Sequence, residues 1–289
     1  MAQLVANATR SAATAPLAAR PWLAVATLAE REWVRFVRQP NRVFGAIGQP
    51  IIFWLLFGAG LGPTFRLAGD EAAQVSYRVY FFPGSLILIL LFTAIFATIS
   101  IIEDRREGFL QSVLVAPIPR WSMVLGKVAG GSLIALVEGL LFLALGLSLA
   151  IPFTPLMLVS IVLLLAVISL ALTSLGFVIA WRMDSTQGFH AIMSVFLMPM
   201  WLLSGAFFPP PPMHADMSWI PWGLSLVMQA NPLTYGVAAL RRLTSLPDAP
   251  LPSDTPQMAT CWIVTLVFAA VMFAVACKIA GQRTAGDRL

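Results

Sequence analysis

From Phe81 to Ile102 the chain carries no charged side chain. At about 1.5 Å per helical residue, that stretch is long enough to cross the roughly 30 Å hydrocarbon layer of a bilayer. It ends in Glu103-Asp104-Arg105-Arg106-Glu107-Gly108, the densest run of charge in the sequence. Phe109, Leu110, Val113 and Leu114 follow, at spacings that share one helical face. Pro117 and Pro119 stop this helix, and the chain re-enters apolar sequence from about Ser122. This pattern reads as two spans joined by a charged loop, a handle by which a soluble partner moves the spans on either side.

Composition agrees with a membrane protein. Of the 289 residues, 59% are hydrophobic and 11% charged, against about 25% charged in soluble domains. The net charge of +5 comes from basic residues scattered between apolar runs, so it reflects topology rather than a nucleic-acid surface. The two cysteines, Cys261 and Cys277, stand about 24 Å apart along one candidate helix and do not bridge each other.

The expected fold is all-α and polytopic, with six transmembrane helices, an N-terminal amphipathic interface helix and short re-entrant helices before the last span. Residues 1–21 are expected to be a loosely ordered tail without a secretory signal. The interface helix covers 22–40. Trp22, Ala26, Ala29 and Trp33 recur at helical spacing on one face, with Arg31, Arg35 and Arg38 on another. The expectation is a helix in the headgroup layer whose arginines face phosphates and cytosol; the alternative is an amphipathic helix packed on protein. The transmembrane domain, 43–280, places spans at about 43–62, 81–102, 122–150, 156–181, 189–208 and 258–280. Between them lie the coupling loop 103–120 and an external segment 209–246, and residues 281–289 form a cytoplasmic tail. Pro199 marks a kink in the fifth span. With the N-terminus inside, only Arg66, Arg78, Arg241 and Arg242 of the 18 basic residues fall outside, which puts both termini and the coupling loop in the cytoplasm.

Chemistry-bearing motifs are few. Gly126-Lys127 lacks the upstream glycine of a phosphate-binding loop, so this chain is expected to bind no cofactor and to hydrolyse no ATP itself. There is no metal-ligand cluster and no nucleophile motif. Glu138 lies near the middle of the third span, where an acidic charge costs about 2.5–3.5 kcal/mol on insertion scales. It is either a structural glutamate or a residue lining a substrate or proton path. Gly126 and Gly130 form a small-xxx-small pair suited to a helix contact.

In their order, Phe82-Pro83-Gly84, the Glu103–Gly108 run through Pro117 and Gly126-Lys127, Leu203-Ser204-Gly205 with Phe208-Pro209, and Asn231-Pro232-Leu233-Thr234-Tyr235 with Arg241 resemble the type-2 ATP-binding-cassette exporter permeases. These move drugs, lipo-oligosaccharides or polysaccharides across a bacterial cytoplasmic (inner) membrane. The resemblance implies two copies of this chain with two copies of a separate ATP-binding subunit, which carries ATP and Mg. It implies contacts to that subunit through Trp22, Arg31, Trp33, Arg35 and Arg38 and through Glu103, Asp104, Arg105, Arg106, Glu107, Gly108, Phe109 and Leu110. It also implies an external gate with Pro232, Tyr235 and Arg241. On this basis charge reversal at Arg105 and Arg106 is expected to weaken subunit binding. The rival readings are an ion-gradient-driven secondary transporter, for which the sequence offers one intramembrane carboxylate and no evident repeat, and a lipid-modifying membrane enzyme, for which it offers no catalytic cluster.

Overall fold

The computed structural model describes residues 20–62, 76–149, 151–211, 219–245, 251–252 and 255–282, with the side chain of Arg42 left aside. Most of the N-terminal tail, the loop around Arg66, Asp70 and Glu71, residues 212–218, part of the proline-rich stretch after Leu246 and most of the C-terminal tail lie outside the described residues. Among those described, the chain forms ten α-helices and no strand: α1 (Pro21–Val37), α2 (Pro40–Gly60), α3 (Tyr77–Arg106), α4 (Phe109–Val115), α5 (Arg120–Leu143), α6 (Pro155–Trp181), α7 (Thr186–Trp201), α8 (Trp219–Ala230), α9 (Pro232–Thr244) and α10 (Met258–Gly281). Six segments are long and apolar enough to cross a membrane, formed by α2, α3, α5, α6, α7 and α10 with their short extensions.

Helix α3 is the central post. It packs against α2, α5, α6 and α7, and Phe81, Phe82 and Leu86 through Leu91 are buried almost completely. Its sequence accounts for this: apolar residues lie all round it, as expected of a helix with no solvent face. It runs through Arg106, so Glu103–Arg106 continue the span and are not the start of a separate helix. Gly108, at φ +78°, breaks the chain there, and the helix between the charged run and Pro117 is α4 alone. At that φ an L side chain is strained, which is why glycine makes the joint.

The third span, Arg120–Leu149, is not α-helical throughout. After Leu143 the α-helix tightens into a 3₁₀ segment, Ala144–Leu149. In the fifth, Pro199 lies inside α7, and the helix gives way to a π turn at Leu202–Ala206 in which Gly205 takes φ +75°. Helices α8 and α9 have 12 and 13 residues, too short to cross the hydrocarbon layer. Asn231 opens α9: its side-chain oxygen accepts from Leu233 N at 3.0 Å, and Pro232 occupies the first turn. α9 then packs on the π turn, α3, α6 and α10.

Close approach depends on missing side chains. A Cβ on Gly84 would lie 2.6 Å from Ala206 Cβ, and one on Gly126 or Gly130 would lie 2.8 Å from Leu28 or Glu32 Cβ on α1. Lipid tails are as apolar as leucine, so contact of this kind rather than hydrophobic exclusion holds such helices together. Gly84→Val is expected to destabilise the chain by about 1–3 kcal/mol, read as a lower Tm in detergent. Gly45→Ala, which meets nothing within 4 Å, serves as the unchanged control.

Candidate functional site

The charged end of α3 is where the structure gathers its ionic groups. Asp104 is fully buried and receives two hydrogen bonds from Arg31, at 3.0 and 2.7 Å, and one from Arg35 at 2.8 Å. Lys127 Nζ donates to Asp104 Oδ2 at 2.5 Å and to Glu32 Oε1 at 2.7 Å. Arg35 also donates to Glu103 at 2.7 Å, and Glu107 stands 3.8 Å from it at the exposed rim. Arg31 additionally lies 3.8 Å over the ring of Phe109. Side chains of α1, α3, α4 and α5 therefore meet around one carboxylate.

Within this core the three cations face Glu32, Glu103 and Asp104, so charge is balanced. Burial alone would lower the Arg35 pKa, but Asp104, and then Glu103, outweigh that and hold it above its ordinary value. Arg35 stays cationic throughout the physiological range. A buried pair gains little net stability over apolar packing, yet removing one partner strands the other charge in low dielectric. The network therefore fixes how α1, α3 and α5 meet more than it adds stability.

Arg31 and Arg35 thus face carboxylates of the protein, not lipid phosphates. Helix α1 lies along α5, burying Leu28, Glu32 and Phe36. Trp22 and Val37 stay exposed, Trp33 is half-buried and Arg38 is exposed. The edge of Trp22 meets Trp121 at 5.4 Å.

The remaining loop residues divide. Arg105 donates to the carbonyls of Met183 and Trp181, at 3.0 and 2.5 Å, and Arg106 to that of Asp184, at 2.9 Å. Both therefore close the C-terminal end of α6, where orphan carbonyls favour cations. Leu110 is buried, whereas Glu107, Gln111, Ser112 and Val115 are exposed, Val115 by 84%. Glu32 and Lys127 escape the sequence reading. Lys127 carries the available signal, since a lysine among apolar residues of a span requires a buried partner.

Glu138 is buried on α5 and accepts a short hydrogen bond from the Thr93 hydroxyl of α3, while its Oε1 is buried without a partner.

At the opposite end of α3, about 36 Å from Asp104 along the helix, a second polar group forms. Arg241 of α9 donates to the Gly205 carbonyl at 2.8 Å and lies 4.1 Å from the centre of the Tyr80 ring. Tyr80 donates to the same carbonyl at 3.0 Å, and Tyr77 to that of Phe207 at 2.9 Å. Tyr235 donates to Gln229 O at 3.0 Å. Of the residues expected at an external gate, Tyr235 and Arg241 line one cavity; Pro232 starts their helix.

The model of the ABC-2 type transporter family, a membrane domain, matches residues 24–244. The chain belongs to that family. This ABC-2 permease is 26% identical over 222 residues to a protein of Cyanophora paradoxa described as a transport permease, ycf38, covering 75% of this chain and 73% of the other. A ycf38 protein of Porphyra purpurea is 23% identical over 230 residues, 78% and 75% of the two chains. A protein of Escherichia coli K12 described as a multidrug ABC transporter permease, YbhR, is 26% identical over 138 residues, which is 47% of this chain and 37% of YbhR. The permease is therefore a multi-pass membrane protein and a transmembrane subunit of an ABC transporter, and its family implies an ATP-binding partner.

For the permease, Asp104→Ala is expected to cost about 3–5 kcal/mol of stability by stranding the cations around it, measured as a fall in Tm. In a Glu32→Gln and Lys127→Met cycle, the double variant should lose less than the sum of the singles.

Proposed function

We propose that this permease is the membrane half of an exporter that moves an amphipathic or lipid-like substrate, such as a drug, a lipid or a lipid-linked glycan, out of the cytoplasm. A separate ATP-binding subunit drives it between inward-open and outward-open states. Two copies of the chain pair with two copies of that subunit in a bacterial cytoplasmic membrane, with both termini inside. The observation that carries this reading is the ionic network: α1 and the α3–α4 joint are bound together around Asp104, so force applied to α4 is passed to the span that anchors the bundle. Relatives described as transport permeases support the transport function, and YbhR's description supports a drug-like cargo.

The docking surface for the ATPase is the outer face of α4, Gln111, Ser112 and Val115, with Glu107 beside it. Arg105 and Arg106 are poorer probes than the sequence implies, because reversing them also opens the α6–α7 turn. Val115→Arg is expected to leave insertion and Tm unchanged and to weaken co-purification of the ATP-binding subunit by about ten-fold or more. The measurement is mass spectrometry of the detergent-solubilised complex, and full retention of the subunit would refute this surface.

Glu138 favours one rival, an ion-gradient-driven carrier, because its Oε1 is buried without a partner. Under the exporter reading Glu138→Gln leaves the pH dependence of transport unchanged in proteoliposomes. A flattened pH profile, with no ATPase co-purifying, would select the carrier.

A further inference from the structure

Among the described residues, the cation at the far end of α3 has no counter-ion. Arg241 is 8% exposed and forms no ion pair among the described residues. Its neighbours are the Gly205 carbonyl, the face of Tyr80 and that ring's hydroxyl. Its Nε–H is buried with no acceptor. A buried charge is ordinarily paired, and a guanidinium carries five donors in a fixed fork that matches an oxyanion. Lys127, a second buried cation among the described residues, obeys this rule by meeting two carboxylates. Arg241 departs from it beside an open space.

That space is a cavity of about 50 Å³ lined by Arg241 together with Ser204, Ser225, Thr234, Tyr235 and Thr255. One water needs roughly 10–15 Å³ on this measure, so the cavity admits a small polyatomic group. Its far wall is held by Arg242, which donates to the carbonyls of Pro256 and Thr255 at 2.7 and 2.8 Å. Met228 and Ala238 add an apolar side. The lining thus pairs one cation and several hydroxyls with an apolar flank.

We propose that this cavity binds the oxyanion of a phosphate-type headgroup, with the Arg241 guanidinium as its cationic partner. The inference deepens the exporter reading, on which it rests for the identity of the headgroup as that of an amphipathic cargo. The oxyanion supplies the counter-charge that the described residues lack, the Ser225 hydroxyl donates a further hydrogen bond, and the apolar flank receives the first carbons beyond the headgroup; the Ser204, Thr234, Tyr235 and Thr255 hydroxyls already donate to backbone carbonyls.

The test uses the full chain in detergent with its partner subunit, titrated with inorganic phosphate, dihexanoyl phosphatidate or dihexanoylglycerol, and read by Tm. Phosphatidate is expected to raise Tm in a dose-dependent way and dihexanoylglycerol is not. Arg241→Gln should weaken the phosphatidate response at least about ten-fold, with Arg241→Lys restoring part of it. If phosphatidate acts at ten-fold lower concentration than inorganic phosphate, the ligand is a lipid-type headgroup; if the two are equal, it is a free oxyanion, and either result supports the site. Because Arg241→Gln can unfold the bundle, Ala238→Leu is the second probe. It narrows the cavity, leaves the Arg241–Gly205 bond in place and should also abolish the response. No response in the wild type, an equal response to dihexanoylglycerol, or an undiminished response in Ala238→Leu would overturn the proposal. Co-purification of the ATP-binding subunit, scored in the same samples, reports on the exporter reading separately: its loss from the wild type sinks that reading and leaves the oxyanion data to stand alone.

Discussion

One carboxylate holds the charged end of this bundle together. Asp104 is fully buried at the last turn of the central helix and is reached by Arg31, Arg35 and Lys127. Without it three cations would sit in a low-dielectric interior with too few partners. With it, the N-terminal helix has one register on the bundle, because both of its arginines must meet the same acceptor. The glycine faces at Gly126 and Gly130 bring that helix close enough for Glu32 to reach Lys127. Sterics and charge thus specify the same docking, and neither would do so alone.

The rest of the packing follows from the solvent. Hydrocarbon provides no drive for leucine to leave it, so the helices associate through close backbone approach and polar contacts to carbonyls. The π turn after α7 shows the consequence. Its Gly205 carbonyl escapes the regular helical ladder and accepts from Tyr80 and Arg241, and Tyr77 donates to the Phe207 carbonyl just beyond the turn. A break in one span is satisfied by its neighbours, which is the condition on which such breaks are tolerated in a membrane.

Much of the fold was legible in the sequence because a run of apolar residues long enough to cross a bilayer has few other uses. The six spans, the amphipathic first helix and the two short helices before the last span all announce themselves in hydropathy, proline and helical spacing. The limits of the reading are equally physical. Periodicity showed that Arg31 and Arg35 share a face, but not what that face meets, since lipid phosphate and a buried aspartate attract guanidinium alike. The charged run after Ile102 looked like one loop, yet Asp104 turns inward, Arg105 and Arg106 turn toward the end of α6, and Glu107 turns outward. That division depends on the azimuth at which α3 enters its neighbours. Glu32 and Lys127 are far apart in sequence and their pairing is a tertiary fact. The cavity at Arg241 depends likewise on three separate segments meeting.

Helix α3 spans the whole distance between the two polar centres as one continuous helix, with Pro83 inside its N-terminal part. Asp104 sits near one end and Tyr80 near the other, about 36 Å apart at helical rise. A helix of this length packed on every side behaves as a lever rather than as a hinge. Tilting it by about 5° about either end would carry the other through roughly 3 Å, enough to break a hydrogen bond. The Gly205 carbonyl, shared by Tyr80 and Arg241, is therefore in the position of a pointer at the end of a beam whose opposite end is bolted to the charged cluster.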